Sequence, residues 1–315
     1  MDQIEKRDLR IVFMGTPDFA VSSLQILVEN GYNVVGVITS TDKYGGRGNK
    51  KLLQSAVKKY AVEQNIPVLQ PKNLKAESFI EELRALNANL QVVVAFRMLP
   101  EVVWDMPKYG TFNLHGSLLP KYRGAAPINW AVIRGETETG VTSFFLQHKI
   151  DTGDILFQEK LPIGENETAG ELHDRMMTLA AKVVLKTVQA IEKGEDQAIP
   201  QEDTLATKAP KLYHDKSEID FNQPTAEVHN FIRGLSPYPA AWTTLDDKKL
   251  KILRTEKDLT SPKAAAGTIQ SDNKSELKIA TQDGWIKVLE LQLAGRKRMQ
   301  TRDFLNGYEI ANLGE

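Results

Sequence analysis

Residues 9–39 read LRIVFMGTPDFAVSSLQILVENGYNVVGVIT. Leu9 to Met14 is a short apolar run that stops at Gly15. Pro17 stands where a helix can begin, and apolar residues recur at helical spacing from there to Glu29. Asn33 to Thr39 then returns to a strand pattern. The same alternation continues outward. Ser55 to Gln64 reads as a helix, Pro67 to Leu69 as a brief strand and Ala76 to Leu86 as a helix. LQVVVAF, Leu90 to Phe96, has the β-rich, unbroken apolar character of a buried parallel strand. Thr111 to His115 is the next strand, Pro127 to Arg134 a helix, Gly140 to Leu146 a strand and Thr168 to Lys193 a long amphipathic helix. Strands alternating with helices predict a doubly wound α/β sheet. In such sheets ligands sit beyond the carboxyl ends of the strands, and His115 falls at such an end.

Past this point the periodicity changes. Gly194 to Lys211, GEDQAIPQEDTLATKAPK, is polar and without a clear period, so a linker is expected over 195–214. One helical stretch follows, Ala226 to Leu235, and then short alternating runs separated by turns such as SDNK and QDG. These predict a small β-barrel or open β-domain over 215–315, with the α/β domain occupying 1–194. A chain of 315 residues suits two domains on a prior of roughly 100–200 residues per domain. Its 41% hydrophobic content supports real cores, and its net charge of −1 supplies no global field for a polyanion. There is no cysteine, which excludes disulfides, thiolate nucleophiles and cysteine-based zinc sites. The N-terminal MDQIEKRDLR mixes acids and bases without an apolar stretch, and no apolar run approaches the roughly 20 residues of a membrane span. A soluble cytoplasmic protein is the expectation.

Chemistry concentrates between Asn113 and Asp154, where NLHGSLLPKYRGAAPINW is followed by ETETGVTSFFLQHKIDTGDIL. Asn113 and His115 lie two residues apart on a strand and so share a face. An amide, an imidazole and a carboxylate suffice to move an acyl group to an amine. The attack places negative charge on oxygen, and each donor aimed at that oxygen lowers the barrier by roughly 2.7–4 kcal/mol. Asn113 offers an N–H2 donor, and His115 a ring N–H. A carboxylate beside the imidazole would orient it and could relay a proton from the amine. Asp151, in the turn KIDTGD, is the better candidate for it, with Asp154 in reserve. The same residue types also cap turns, and DTGD is turn-forming in its own right, so the residues alone leave both roles open. The other histidines, His148, His173, His214 and His229, sit in no motif, and surface or helix packing is expected of them.

GTPDF follows the first strand where a dinucleotide fold would carry GxGxxG, and that pattern is absent. KYGGRGNKKLLQSAVKK, from Lys43, holds Arg47, Lys50 and Lys51 in a glycine-rich frame able to grip phosphates. Lys248, Lys249 and Lys251, and then Arg296, Lys297 and Arg298, form two basic clusters in the C-terminal part. A solvated surface is the simpler reading of each such run.

Taken in order and spacing, GTPDFA, GRGNKK, NLHGSLLPKYRGAAPINW and the segment from ETGVT to DTGDIL closely resemble the methionyl-tRNA formyltransferase family. SPYPAAW and AGRKRM match its C-terminal part more loosely. The resemblance spans nearly the whole chain and implies a Rossmann-like catalytic domain joined to an OB-like β-barrel. It implies 10-formyltetrahydrofolate as donor and methionyl initiator tRNA as acceptor. No metal, no membrane association and a monomer are expected. The resemblance places the catalytic roles on Asn113, His115 and Asp151 and folate contact on Ser117, Leu118, Leu119 and Pro120. It places tRNA contact on Arg47, Lys50, Lys51 and Lys211. The family's usual AYG is here Ala95, Phe96, Arg97, the basic loop lacks its usual prolines, and a lysine usual just past Lys211 is replaced by His214. Formyltransferases acting on nucleotide-linked amino sugars share HGSLLPxYRG but lack the GRGxKK loop, which makes them the alternative.

Overall fold

The computed structural model describes residues 7–45 and 51–310. Elements run β1 (Arg10–Gly15), α1 (Asp18–Glu29), β2 (Asn33–Ile38), β3 (Lys43–Gly45), β4 (Lys51–Leu53), α2 (Ala56–Glu63), β5 (Val68–Leu69), α3 (Glu77–Ala85), β6 (Leu90–Val94), α4 (Glu101–Trp104), β7 (Thr111–His115), α5 (Pro127–Ile133), β8 (Glu138–Phe145), β9 (Ile155–Pro162) and α6 (Ala169–Lys193). Then follow α7 (Thr225–Leu235), β10 (Ala241–Leu245), β11 (Lys248–Asp258), β12 (Ile269–Ser271), β13 (Leu277–Ala280), β14 (Trp285–Leu293), β15 (Met299–Gln300) and α8 (Thr301–Leu305). No helix among the described residues is long and apolar enough to cross a membrane.

The first sheet has the order β5-β2-β1-β6-β7-β8-β9. β5, β2, β1, β6 and β7 pair in parallel, and β8 runs antiparallel to β7. Strand order reverses between β1 and β6, so the carboxyl ends of β1, β6 and β7 open on the side where a doubly wound sheet receives ligands. Both faces are covered, which is why LQVVV is buried at every position. On one face Val12, Met14 and Val93 pack with Phe79, Ile80, Leu83 and Val103. On the other, Ser143 of β8 and Thr187 of α6 share a hydrogen bond of 2.8 Å, and α6 buries Met176, Val183, Val184, Val188 and Ile191.

The second sheet is antiparallel, ordered β10-β11-β14-β13-β12 with β15 on β14. Its core joins Ile252, Ile279, Ile286 and Leu291 to Val228 and Ile232 of α7. This is the small β-domain that the short alternating runs predict.

Two compact units emerge. One comprises residues up to Gly124, Gly140–Leu161 and Asp174–Lys208; the other comprises Ala125–Thr139, Pro162–His173 and the chain from Ala209. Residues 195–208, expected as linker, are therefore part of the first unit. Ile199 and Ile155 exchange backbone hydrogen bonds of 2.9 and 2.8 Å, and Arg123 and Lys208 form a parallel bridge. A short polar segment can pair its backbone this way without any apolar period to advertise it.

His229 is buried in α7, its Nδ1 2.9 Å from Thr255 Oγ1. Burial pushes its imidazole down to about 4, with the Arg233 and Lys257 charges adding to the effect. A depressed histidine contributes stability that is complete above the unfolded value near 6.5 and is lost as pH falls through the folded one. Urea unfolding should therefore show wild type losing about 2 kcal/mol more than His229→Gln between pH 7.5 and pH 5. Parallel losses in the two proteins would remove His229 as the cause.

Candidate active site

The site grows from the end of β7. Asn113 pairs in register with Val93 and Phe144, and His115 with Thr142. Leu114, between them, is buried on the opposite face. His115 is 6% exposed, and its Nε2 donates to the carbonyl of Tyr122 across 2.8 Å. A carbonyl can only accept, so Nε2 keeps its proton and Nδ1 is the nitrogen left to work. Nδ1 lies 3.8 Å from Asp151 Oδ2. That same carboxylate oxygen accepts the backbone N–H of Gly124 at 2.8 Å. Asn113 is half-buried, and its side-chain amide has no hydrogen-bond partner among the described residues.

Asp151 reaches this position through a left-handed backbone, with φ at 54°. Thr152 Oγ1 closes the turn on the carbonyl of Lys149 at 3.0 Å. Gly153 is required by close approach: a Cβ there would stand 1.6 Å from the carbonyl oxygen of Phe145. Gln201 Nε2 donates to the carbonyls of both Asp151 and Gly153, at 2.9 and 2.8 Å. Asp154, the reserve candidate, has its carboxylate turned to Gln147, 3.5 Å away.

The segment from Ser117 to Pro120 folds on itself. Ser117 Oγ donates to the carbonyl of Lys121 at 2.6 Å, and its own carbonyl accepts from Thr142 Oγ1 at 2.6 Å. Leu119 is buried, and its carbonyl accepts Gln158 Nε2 at 2.8 Å. Leu118 and Pro120 keep partial exposure. Ser117 and Leu119 thus shape the turn, while the exposed surface belongs to the other two. The turn ends at Tyr122, whose N–H donates to Thr207 Oγ1 at 2.8 Å; the Arg123 N–H donates to the Thr207 carbonyl at 2.9 Å. Gln201 and Thr207 were missed by sequence reasoning, because their segment has no period and no motif.

Of the basic residues, Arg47 and Lys50 lie outside the described residues. Lys51 is exposed on β4, paired with Gly45 of β3. Lys211 belongs to the second unit, its Nζ 5.4 Å from the Tyr213 ring centre. In the C-terminal cluster Arg298 is held by Glu290 through two 2.6 Å hydrogen bonds, and that bonding raises its already high pKa. Lys249 lies 3.7 Å from the Trp242 ring centre. Arg97 donates to the carbonyls of Pro71 and Lys72, so it clips the β5–α3 connection. Among the described residues no group of three or more His, Asp or Glu is arranged to hold a metal ion.

The formyl transferase family model matches residues 9–188, and the formyl transferase C-terminal domain model matches residues 211–309. The chain is 56% identical to the methionyl-tRNA formyltransferase of Parabacteroides distasonis, over 97% of this chain and 98% of that protein. The chain belongs to the methionyl-tRNA formyltransferase family. The Flavobacterium johnsoniae member is 54% identical over 96% of this chain and 98% of its own length. Among solved structures, the methionyl-tRNA formyltransferase from Clostridium thermocellum aligns with a TM-score of 0.55 at 18% identity, covering 79% of this chain and 93% of that one. A sugar 3N-formyl transferase crystallised with dTDP and 5-N-formyl-THF aligns with a TM-score of 0.69 at 20% identity, covering 92% of this chain and all of that one. At such identities the likeness is one of fold. Family membership rests instead on the relatives above 50%.

Gly153→Ala tests the turn directly. The added methyl meets backbone rather than a yielding side chain, so the variant should lose at least about 1–3 kcal/mol of stability and much of its turnover. Thermal unfolding and a formyl-transfer assay measure the two. A variant as stable and active as wild type would show that the turn opens freely.

Proposed function

We propose that this chain transfers the formyl group of 10-formyltetrahydrofolate to the α-amino group of methionyl initiator tRNA, in the cytoplasm and as a monomer. The observation that carries the reading is the His115–Asp151 pair: Nδ1 and Oδ2 lie 3.8 Å apart, with Nε2 fixed on Tyr122. That spacing is too long for a direct hydrogen bond. It suits two groups that each meet the reacting centre. The folate supplies the formyl carbon and leaves as tetrahydrofolate. The partly exposed Leu118 and Pro120 give a flat ring an apolar edge, and Ser117 and Leu119 hold that edge in shape.

The methionine amine forms the new C–N bond, and the formyl C–N10 bond breaks. Negative charge develops on the formyl oxygen. The Asn113 amide and a protonated His115 Nδ1 donate to it, and they gain most where the charge is greatest. Asp151 accepts a proton from the attacking amine, directly or through one water, and N10 of the departing folate takes up a proton. Gly124 N–H keeps the carboxylate aimed, and Tyr122 keeps the ring in one orientation. Acceptor recognition falls to Arg47, Lys50, Lys51 and Lys211, which would meet phosphates.

A formyl-transfer assay offering charged initiator tRNA, uncharged tRNA and an amino-sugar nucleotide in parallel tests the substrate. Only the first should be formylated, and transfer to the sugar would replace this reading with the alternative. His115→Ala should lower kcat by about 10²–10³-fold while folate affinity stays close to wild type. Wild-type turnover in that variant removes His115 from the mechanism. Removing charge at Arg47, Lys50 and Lys51 should raise KM for tRNA and flatten its log–log salt dependence by about one for each phosphate no longer neutralised. A change confined to the folate KM would move the loop to the other substrate.

A further inference from the structure

We infer that Gln201 is a positioning residue for the formyl-transfer reaction, acting through Asp151; the inference rests on the reading of Asp151 as proton acceptor. Gln201 is half-buried, and both ends of its amide are used. Nε2 donates to the carbonyls of Asp151 and Gly153, at 2.9 and 2.8 Å. Oε1 accepts from Arg123 Nη2 at 2.8 Å and Nε at 3.2 Å. The orientation of the amide is forced, since a guanidinium only donates and a carbonyl only accepts. Arg123 is held in turn by Asp203, 2.7 Å from Nη2.

The residue so gripped is the one whose placement matters. Asp151 has φ at 54°, a conformation that a side chain with a Cβ resists. Its carboxylate must nevertheless meet Gly124 N–H and face His115 Nδ1. Gln201 ties the Asp151 turn to Arg123, the neighbour of both Tyr122 and Gly124. One amide therefore joins the turn that carries the carboxylate to the loop that orients the imidazole. Gln201 bonds the backbone of Asp151 and none of the side chains assigned to the reacting centre, so its effect must pass through the placement of Asp151.

Gln201→Glu is the informative variant. It keeps the shape and the partnership with Arg123 but turns a carboxylate oxygen toward two carbonyls. Gln201→Ala removes the amide without adding charge and serves where the glutamate fails to fold. Steady-state and single-turnover formyl transfer to charged initiator tRNA, using the full chain, should show kcat falling about ten- to a hundredfold in both. KM for each substrate should stay within about twofold. In an Asp151→Asn background the same changes should cost less than about threefold, because residues acting through one group do not add. Equal fold losses with and without the Asp151 carboxylate overturn the inference, as does wild-type kcat in Gln201→Ala beside a crippled Asp151→Asn. Wild-type kcat in Asp151→Asn overturns the proton-acceptor reading itself, and the inference with it.

Discussion

Gly124 N–H and His115 Nδ1 approach the same carboxylate oxygen of Asp151, one at 2.8 Å and the other at 3.8 Å. Two stretches of chain must converge for this to happen: the end of β7 with the loop from Ser117 to Gly124 that follows it, and the turn around Asp151. Neither can be displaced alone. The loop carries both the carbonyl that receives the His115 proton and the amide that aims the carboxylate. The turn fits only because Gly153 lacks a side chain where Phe145 passes. The geometry of the site is thus a property of backbone, with few side chains free to adjust it.

The Tyr122 carbonyl has a chemical consequence beyond orientation. A histidine bonded to an acceptor at one nitrogen presents a defined nitrogen at the other. Here the defined one faces a carboxylate 3.8 Å away, a separation at which one atom placed beside the pair can stand within hydrogen-bond distance of both. A directly hydrogen-bonded pair would satisfy itself and leave less for the reaction. Asn113 complements the pair, since it shares the strand face of His115 and its amide is uncommitted among the described residues.

Much of this was legible in the sequence. β1, α1 and β2 follow from LRIVFM, the proline at a helix start and NVVGVIT, each within about a residue or two of its expected bounds. Asn113 and His115 announce themselves by spacing on a short strand. Other features were hidden for identifiable reasons. β9 reads ILFQEKLP after a turn-rich stretch, and its apolar and polar residues fall in blocks, so the sequence shows no alternation although burial alternates along most of the strand. The hairpin of β3 and β4 sits within a basic, glycine-rich run that reads as loop. The cluster Arg296 to Arg298 looks uniformly free in one dimension, yet cross-strand pairing gives Arg298 to Glu290. Arg97 likewise gives no sign in one dimension that its guanidinium lies on the carbonyls of Pro71 and Lys72.

The stretch after α6 shows the same limit in its sharpest form. Family matching ends the catalytic region at residue 188, whereas the first compact unit extends to Lys208. Between these points Ile199 pairs with Ile155, Gln201 grips the Asp151 turn, and Thr207 receives Tyr122. Every one of these interactions uses backbone groups on at least one side. Backbone donors and acceptors are present at nearly every residue, so no residue type marks the segment as special. A fragment ending with α6 would keep Asn113, His115 and Asp151 in its sequence. It would lack bonds that hold the last two in register, because the segment that braces the candidate site comes after the last strand of the sheet and after the helix that follows it.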